Sequence, residues 1–280
     1  MRESPLEATT PRVATAVLEI LYRDDDVVAV HKPPGLMVHR SELCRRETRF
    51  AVQILRRQVG RHVFPAHRLD RGTSGVLLLA FDARTAARLG KAFASRAVAK
   101  RYVAVVRGWP EPSGTIEHPL RQLEDGKDTA DPDAPRQDAR TDYRRLACAD
   151  VPIPSRHHGS TRVALVELFP HTGRQHQVRR HLKHISHPVL GDATYGKGPL
   201  NRTFAGLFGT GRLLLACTDL HLAHPADGRP LRLHAPLEPA FAALCAKLGW
   251  EPPPLATAGE REPWPREDGP AAYPSGCPTR

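Results

Sequence analysis

Residues 67–71 read His-Arg-Leu-Asp-Arg and place one carboxylate, Asp70, between two arginines in a short polar turn. The turn runs through residues 72–75 into an apolar segment, residues 76–80, which predicts a loop fixed to a buried strand. No second acid and no set of metal-ligand residues accompanies Asp70. The chemistry that this turn supports is therefore something that one carboxylate can do. Taken alone the signal is weak, because aspartate in a turn usually bonds only to its own backbone.

A second polar segment, residues 172–185, has the spacing of a helix. Thr172 and Gly173 fit its start, and a buried stripe recurs at Val178, Leu182 and Ile185. Arg174 lies on the same stripe one turn earlier. Because an unpaired buried charge is very costly, we expect Arg174 to have an anionic partner, and Asp70 is the best candidate.

The opposite face of this predicted helix is strongly basic and suits phosphate groups. Its members are Arg179, Arg180, Lys183 and His184. Histidines also recur here, at positions 176, 181, 184 and 187, which raises the alternative of a metal site. No HExxH motif is present, no cysteine is near, and the nearest carboxylate is Asp192. We therefore expect no metal and no cofactor.

The surrounding sequence predicts more strands than helices. Strands are expected at residues 27–30, 101–107, 141–148, 161–169, 212–217 and 231–234, and helices at residues 48–59, 83–95 and 239–248. Many links between the strands are too short for helical crossovers. The pattern therefore favours an α+β fold with a mixed, mostly antiparallel sheet and flanking helices.

Composition divides the chain into three parts. Residues 1–16 are expected to be a flexible arm, residues 17–250 one folded domain, and residues 251–280 a proline-rich disordered tail. Within the domain, residues 122–140 are rich in charge and proline and predict a surface loop.

The net charge of +11 and the pI of about 9.9 indicate a polyanionic partner, RNA or DNA before an anionic membrane. The longest apolar runs are too short to span a bilayer. The five cysteines are scattered and contain no CxxC, which favours the reducing cytoplasm.

Seven short motifs, in five segments, occur in a fixed order along the chain. They are KPPGL at residues 32–36, HRLD and TSG within residues 67–75, KRY at residues 100–102, TGRQHQ and RHL within residues 172–182, and GD at residues 191–192. This ordered set resembles the RluA-type pseudouridine synthase family over about residues 17–250. The resemblance implies the catalytic fold of that family, with an active-site cleft across the sheet.

The resemblance also implies a reaction in which uracil is detached from C1′ of its ribose, turned, and rejoined through C5, without a metal or a cofactor. It implies three catalytic residues, namely Asp70 as the reacting carboxylate, Tyr102 stacking on uracil and helping to remove the C5 proton, and Arg174 keeping Asp70 ionised. It implies substrate contacts for a second set, of which Arg68 replaces the flipped base. That set is His67, Arg68, Thr73, Arg179, Arg180 and Leu182.

Within the family, residues 38–41, 106–109, 179–188 and 201–202 resemble the members that act on uridine 65 of tRNA, whereas Gly72 and Tyr195 depart from their pattern. We therefore expect a monomeric enzyme with tRNA as its partner and no membrane contact. One alternative is another tRNA or rRNA uridine as the target. The others are an RNA-binding protein with a decayed active site, a glycosylase that releases a base, and a metal enzyme that uses the histidines.

Overall fold

The structure, a computed structural model, describes residues 17–39, 49–124, 127–128, 135–155 and 159–251. The expected N-terminal arm and the part of the expected tail from residue 252 onward lie outside these residues. Most strands join one sheet: β1 (Glu19–Arg23), β2 (Val27–Lys32), β3 (Phe64–Pro65), β4 (Ser74–Ala80), β5 (Ala99–Arg107), β6 (Ser113–Glu117), β11 (Arg140–Val151), β12 (Thr161–Pro170), β13 (Leu215–Ala223) and β14 (Pro230–His234). The helices are α1 (Ala51–Val59), α2 (Ala83–Ala94), α3 (Gln177–His184), α4 (Gly198–Phe208) and α5 (Pro239–Lys247).

The main sheet is mixed and almost wholly antiparallel. Its strand order is β1-β2-β4-β13-β5-β12-β11-β6, with β14 paired to β13 and β3 paired to β4. The contact between β4 and β13 is parallel, whereas the other pairs of this sheet are antiparallel. The predicted α+β class is confirmed.

Helices cover both faces of the sheet. Helix α1 packs on one face of β2 and β4, and α2 packs on the other, because alternate residues of these strands point to opposite sides. Further along the sheet, α3 packs on one face of β5 and β12, while α4 and α5 cover the other. The central strands are therefore buried on both sides, which explains the unbroken apolar run in β4.

Local sequence signals account for several element ends. Asp82 begins α2 by accepting a hydrogen bond from the Thr85 backbone N–H at 2.8 Å. Gly60 ends α1 in the left-handed conformation, with φ of 72°. Helix α4 was not predicted, since Phe204 is its one buried side chain and its glycine-proline start resembles a turn.

Where it is described, the predicted surface loop at residues 122–140 forms short strand pairs, one of them with the two residues just before it. These are β7 (Leu120–Arg121) with β10 (Arg136–Gln137), and β8 (Leu123–Glu124) with β9 (Lys127–Asp128). Among the helices of the described residues, none has the length and apolar character needed to cross a membrane.

Candidate active site

The turn that carries Asp70 is held in place by the loop after β2. The Lys32 ammonium is fully buried and donates hydrogen bonds to the carbonyl oxygens of Pro33 at 2.9 Å, Leu36 at 2.8 Å and Arg71 at 3.2 Å. The Gly35 N–H donates to the same Arg71 carbonyl at 2.8 Å. Lys32 therefore ties two loops together, and its burial lowers its pKa to about 7.

Behind this turn, the start of β4 lies directly against β13. Ser74 pairs with Ala216, and Gly75 pairs with Cys217. Gly75 has φ of 114°, and a Cβ atom there would clash with the carbonyl oxygen of Cys217. Glycine is therefore needed where the Asp70 turn enters the sheet.

Asp70 is ion-paired with Arg179, the third residue of α3. The guanidinium Nη1 donates to Asp70 Oδ2 at 3.0 Å. The same guanidinium donates two hydrogen bonds to Asp192, from Nε at 2.7 Å and from Nη2 at 2.9 Å. Arg179 is 8% exposed and the Asp192 side chain is 0% exposed, so a buried carboxylate orients the arginine that faces Asp70.

The charges of this group stabilise one another. Burial alone raises the pKa of Asp192, but the hydrogen bonds and charge of Arg179 outweigh that effect and hold the pKa below its usual value. For Arg179, burial opposes the charged form, and the contacts with Asp192 and Asp70 overcome it and raise the pKa. Arg179 therefore stays a cation beside Asp70.

The expected pair between Arg174 and Asp70 is wrong. Arg174 Nε donates instead to the Asp138 carbonyl oxygen at 3.1 Å. The reason is that α3 begins at Gln177, so Arg174 lies in the preceding loop, where helical spacing does not apply. Thr172 does not cap the helix either, because its hydroxyl donates to Gln177 Oε1 at 2.6 Å.

Asp70 and Arg179 line a cavity of about 390 Å³, which is within the usual size range for small-molecule pockets. The turn before β4, the end of β12, the loop before α3 and strand β5 line it. Among the described residues that line it, Asp70 is the one carboxylate. The cations that line it are Arg68, Arg96, Lys100, Arg174 and Arg179.

Two predicted site residues, Tyr102 and His67, line this cavity without titrating near neutral pH. Burial, together with Cys217, raises the pKa of Tyr102 well above 10, so its phenol stays protonated. His67 Nε2 accepts a hydrogen bond from the Leu78 N–H at 3.1 Å, and burial lowers its pKa to about 3. Tyr102 is thus a poor base, and His67 braces the turn against β4.

Residues 26–184 match the family model described as RNA pseudouridylate synthase. A protein named tRNA pseudouridine synthase C from Vibrio cholerae is 43% identical over 84% of this chain and 97% of its own length. A protein of the same name from Salmonella typhi is 43% identical over 84% of this chain and 91% of its own.

The chain belongs to the RNA pseudouridylate synthase family. It is therefore an isomerase that acts on RNA. Two solved human structures, RNA pseudouridylate synthase domain containing 1 and domain containing 4, are 26% and 28% identical, and each covers 84% of this chain. They cover 90% and 95% of their own chains, and both superpose with a TM-score of 0.63, so they share the fold of this synthase.

The other predicted substrate contacts of the synthase divide into two groups. Arg68 is exposed and lines the cavity, and Thr73 lines it from a buried position. Leu182 is fully buried in the core beneath α3 and does not line the cavity, so its predicted substrate contact is wrong. Arg180 lies outside the cavity lining and donates to the Arg121 carbonyl oxygen at 2.8 Å.

Arg179 was placed on the exposed basic face and is instead buried beneath Asp70, so its predicted phosphate contact is also wrong. The histidines considered as metal ligands have separate partners. The two nitrogens of His181 contact the Thr141 hydroxyl and the His118 carbonyl oxygen, at 2.9 and 3.1 Å. His184 stacks on His118, and His187 contacts the Arg107 carbonyl oxygen.

Sequence reasoning missed His176 as a site residue. Its ring lines the cavity, with Nε2 3.8 Å from Asp70 Oδ1 and Nδ1 3.0 Å from the hydroxyl of Tyr195. The Tyr195 ring also lies under the Arg179 guanidinium, 5.0 Å from ring centre to Cζ. The available signal was the position of His176 inside the TGRQHQ motif.

Proposed function

We propose that this enzyme converts uridine 65 of tRNA to pseudouridine, with Asp70 as the reacting carboxylate. One observation carries the assignment of Asp70: it is the one carboxylate among the described cavity-lining residues, and a buried arginine holds it. The choice of tRNA is supported by the relatives named tRNA pseudouridine synthase C, which match over most of both chains.

Asp70 acts on the sugar of the target nucleotide. A carboxylate attacks C1′ in retaining glycosidases, and the same attack on uridine would release uracil inside the cavity. The alternative is removal of the 2′ proton to give a glycal. In both routes the Arg179 guanidinium holds Asp70 Oδ2 and leaves Oδ1 for the reaction with the sugar.

The target base must leave its helical stack before Asp70 can reach C1′. Arg68 is exposed beside the cavity, which suits the role of filling the vacated stack. Tyr102 lines the pocket from β5 and offers a ring on which the flipped uracil stacks. Its high pKa makes stacking, rather than proton removal, its proposed role.

The exposed side of α3 contributes to binding of the RNA backbone. Lys183 and His184 are exposed there, and Arg180 is partly buried next to them. Each phosphate contact releases counterions, so binding weakens as salt rises. We propose Arg174 as a substrate contact at the cavity rim rather than the counter-ion of Asp70, and a monomeric, cytoplasmic enzyme.

Target mapping tests this proposal directly. Pseudouridine should be lost at position 65 of tRNA in cells that lack the protein, and should return when the wild-type chain is restored. The purified enzyme should modify a tRNA transcript, and replacing uridine 65 by cytidine should abolish the product. Loss confined to rRNA, or to another tRNA position, would refute the uridine 65 assignment and support the alternative target.

A further inference from the structure

We propose that His176 accepts the C5 proton of the target uracil, with Tyr195 holding the imidazole in place. The proposal rests on the proposed function, because it concerns the second half of the same isomerisation. Once C5 has joined C1′, C5 still carries its hydrogen, and that hydrogen must leave before the ring regains its double bond. C5 is then bonded directly to C1′, the sugar carbon on which Asp70 acts. The group that accepts the C5 proton must therefore lie close to Asp70.

His176 meets this geometric requirement. Its Nε2 atom is 3.8 Å from Asp70 Oδ1, which is beyond hydrogen-bond length and leaves the two groups side by side at the cavity wall. Its Nδ1 atom contacts the Tyr195 hydroxyl at 3.0 Å, and the two rings meet edge to face. The Tyr195 hydroxyl thereby fixes the imidazole through Nδ1, and Nε2 lies at the cavity wall.

The backbone at His176 is also unusual. It has φ of 54°, in the left-handed region that residues other than glycine rarely adopt. Strained residues of this kind cluster at functional sites, because surrounding contacts must hold them in place. Here the conformation directs the side chain into the cavity just before α3 begins.

The other titratable groups of the described cavity lining are poorly suited to accept the proton. Tyr102 holds its phenol proton, and His67 is occupied by the Leu78 N–H. Burial lowers the pKa of Lys100 to about 8, so at neutral pH it is still mostly an ammonium without a lone pair, donating to the Thr172 carbonyl oxygen. Asp70 is engaged with the sugar and with Arg179.

The surroundings of His176 keep its ring neutral at physiological pH. Burial is the main cause and lowers the pKa of His176. Arg179 on α3 and Arg68 on the Asp70 turn act in the same direction, whereas Asp70 and Asp192 oppose them. A neutral imidazole has a lone pair, which is the form that a proton acceptor needs.

The C5–H bond breaks as its proton moves to His176 Nε2, and its electron pair forms the C5–C6 double bond. The π pair of the N1–C6 double bond moves to N1, which takes a proton from water. The imidazolium then returns its proton to solvent, so the C5 hydrogen ends in water and the enzyme is regenerated.

Two variants test this step without disturbing the backbone. Asparagine and glycine both tolerate the left-handed region, so His176→Asn and His176→Gly should fold. Each should slow single-turnover conversion of a tRNA transcript by about 100-fold or more, the lower end of the contribution of a general base. Tyr195→Phe should slow it by only about 3- to 10-fold, the range of one ordinary hydrogen bond.

The decisive readout is the rate on C5-deuterated uridine. The isotope effect should be larger in both His176 variants than in the wild-type enzyme, because proton removal becomes limiting. Added imidazole should restore turnover of His176→Gly as the pH rises and more of it becomes neutral. His234→Gln is a matched control, since His234 Nδ1 also lies beside a carboxylate, 2.9 Å from Asp219, outside the cavity lining.

The outcomes separate the inference from the function on which it rests. Wild-type enzyme that forms no pseudouridine in tRNA would contradict the proposed function itself. Active wild-type enzyme whose His176 variants keep its isotope effect and gain nothing from imidazole would overturn the role of His176. A wild-type rate in the His176 variants would overturn it equally.

Discussion

Replacing Arg179 should damage the protein far more than replacing Arg174, although both arginines line the same cavity. Arg179→Met removes the cation between Asp70 and Asp192 and leaves a fully buried carboxylate without its positively charged partner. Arg174→Met is the matched control. It removes one hydrogen bond to the Asp138 carbonyl oxygen.

The two costs differ by several kcal/mol. Removing one partner of a buried ion pair typically costs about 3–5 kcal/mol, because an uncompensated charge stays behind. Losing one ordinary hydrogen bond costs about 0.5–1.5 kcal/mol. The free energy of unfolding should therefore fall by about 3–5 kcal/mol in Arg179→Met and by no more than about 1.5 kcal/mol in Arg174→Met.

Urea unfolding at pH 8 and at pH 5 measures this difference and its cause. In the wild-type protein the pKa of Asp192 lies below its usual value, so Asp192 stays ionised across this range. Without Arg179, burial is opposed by the backbone N–H bonds of Thr194 and Tyr195, so the pKa of Asp192 rises above its wild-type value. The variant therefore recovers stability relative to the wild-type protein as the pH falls and Asp192 binds a proton. The deficit of Arg179→Met should therefore be smaller at pH 5 than at pH 8.

Equal losses in the two variants would refute the reasoning, because Arg174 would then matter as much as the buried pair. A deficit in Arg179→Met that does not change with pH would also refute it, because the uncompensated Asp192 charge would not be its cause.

Two further predictions concern the backbone at the site and the RNA-binding surface. Gly75→Ala should destabilise the fold by more than about 1 kcal/mol in thermal unfolding, because of the positive φ and the clash with Cys217. The control is Gly90→Ala, in the middle of α2 with open space around it, which should stabilise the fold by about 0.5–1 kcal/mol. Equal changes at the two glycines would contradict this account. Lys183→Gln, on the exposed side of α3, should weaken tRNA binding and make the slope of log affinity against log salt shallower by about 0.9 if it neutralises one duplex phosphate. An unchanged slope in a salt titration would exclude that contact.

Much of the fold could be predicted because local signals agree with the tertiary structure. A strand was predicted at residues 101–107, and in β5 Ala104 and Val106 share one face and pack against α3. The helix predicted at residues 83–95 is α2, which Asp82 begins. By contrast, α4 buries one side chain, so its sequence carries almost no helical period.

The candidate site was predicted in part. Asp70, Arg68 and Tyr102, which the family resemblance named as site residues, line one cavity. The partner of Asp70 was missed because it depends on where α3 begins, and Thr172 and Gly173 mimic a helix start four residues early. The ion pair between Arg179 and Asp192 links residues 13 apart in the sequence, across a loop, and no periodic sequence pattern predicts it.

The central claim is that Asp70 performs the chemistry of an RNA pseudouridine synthase, and tritium release tests it most directly. Wild-type protein should release tritium from tRNA labelled at uridine C5 and form pseudouridine, without liberating free uracil. Asp70→Asn should release none while binding the same tRNA with nearly unchanged affinity, because the pocket and the basic surface remain. Tritium release by Asp70→Asn at the wild-type rate would contradict the account.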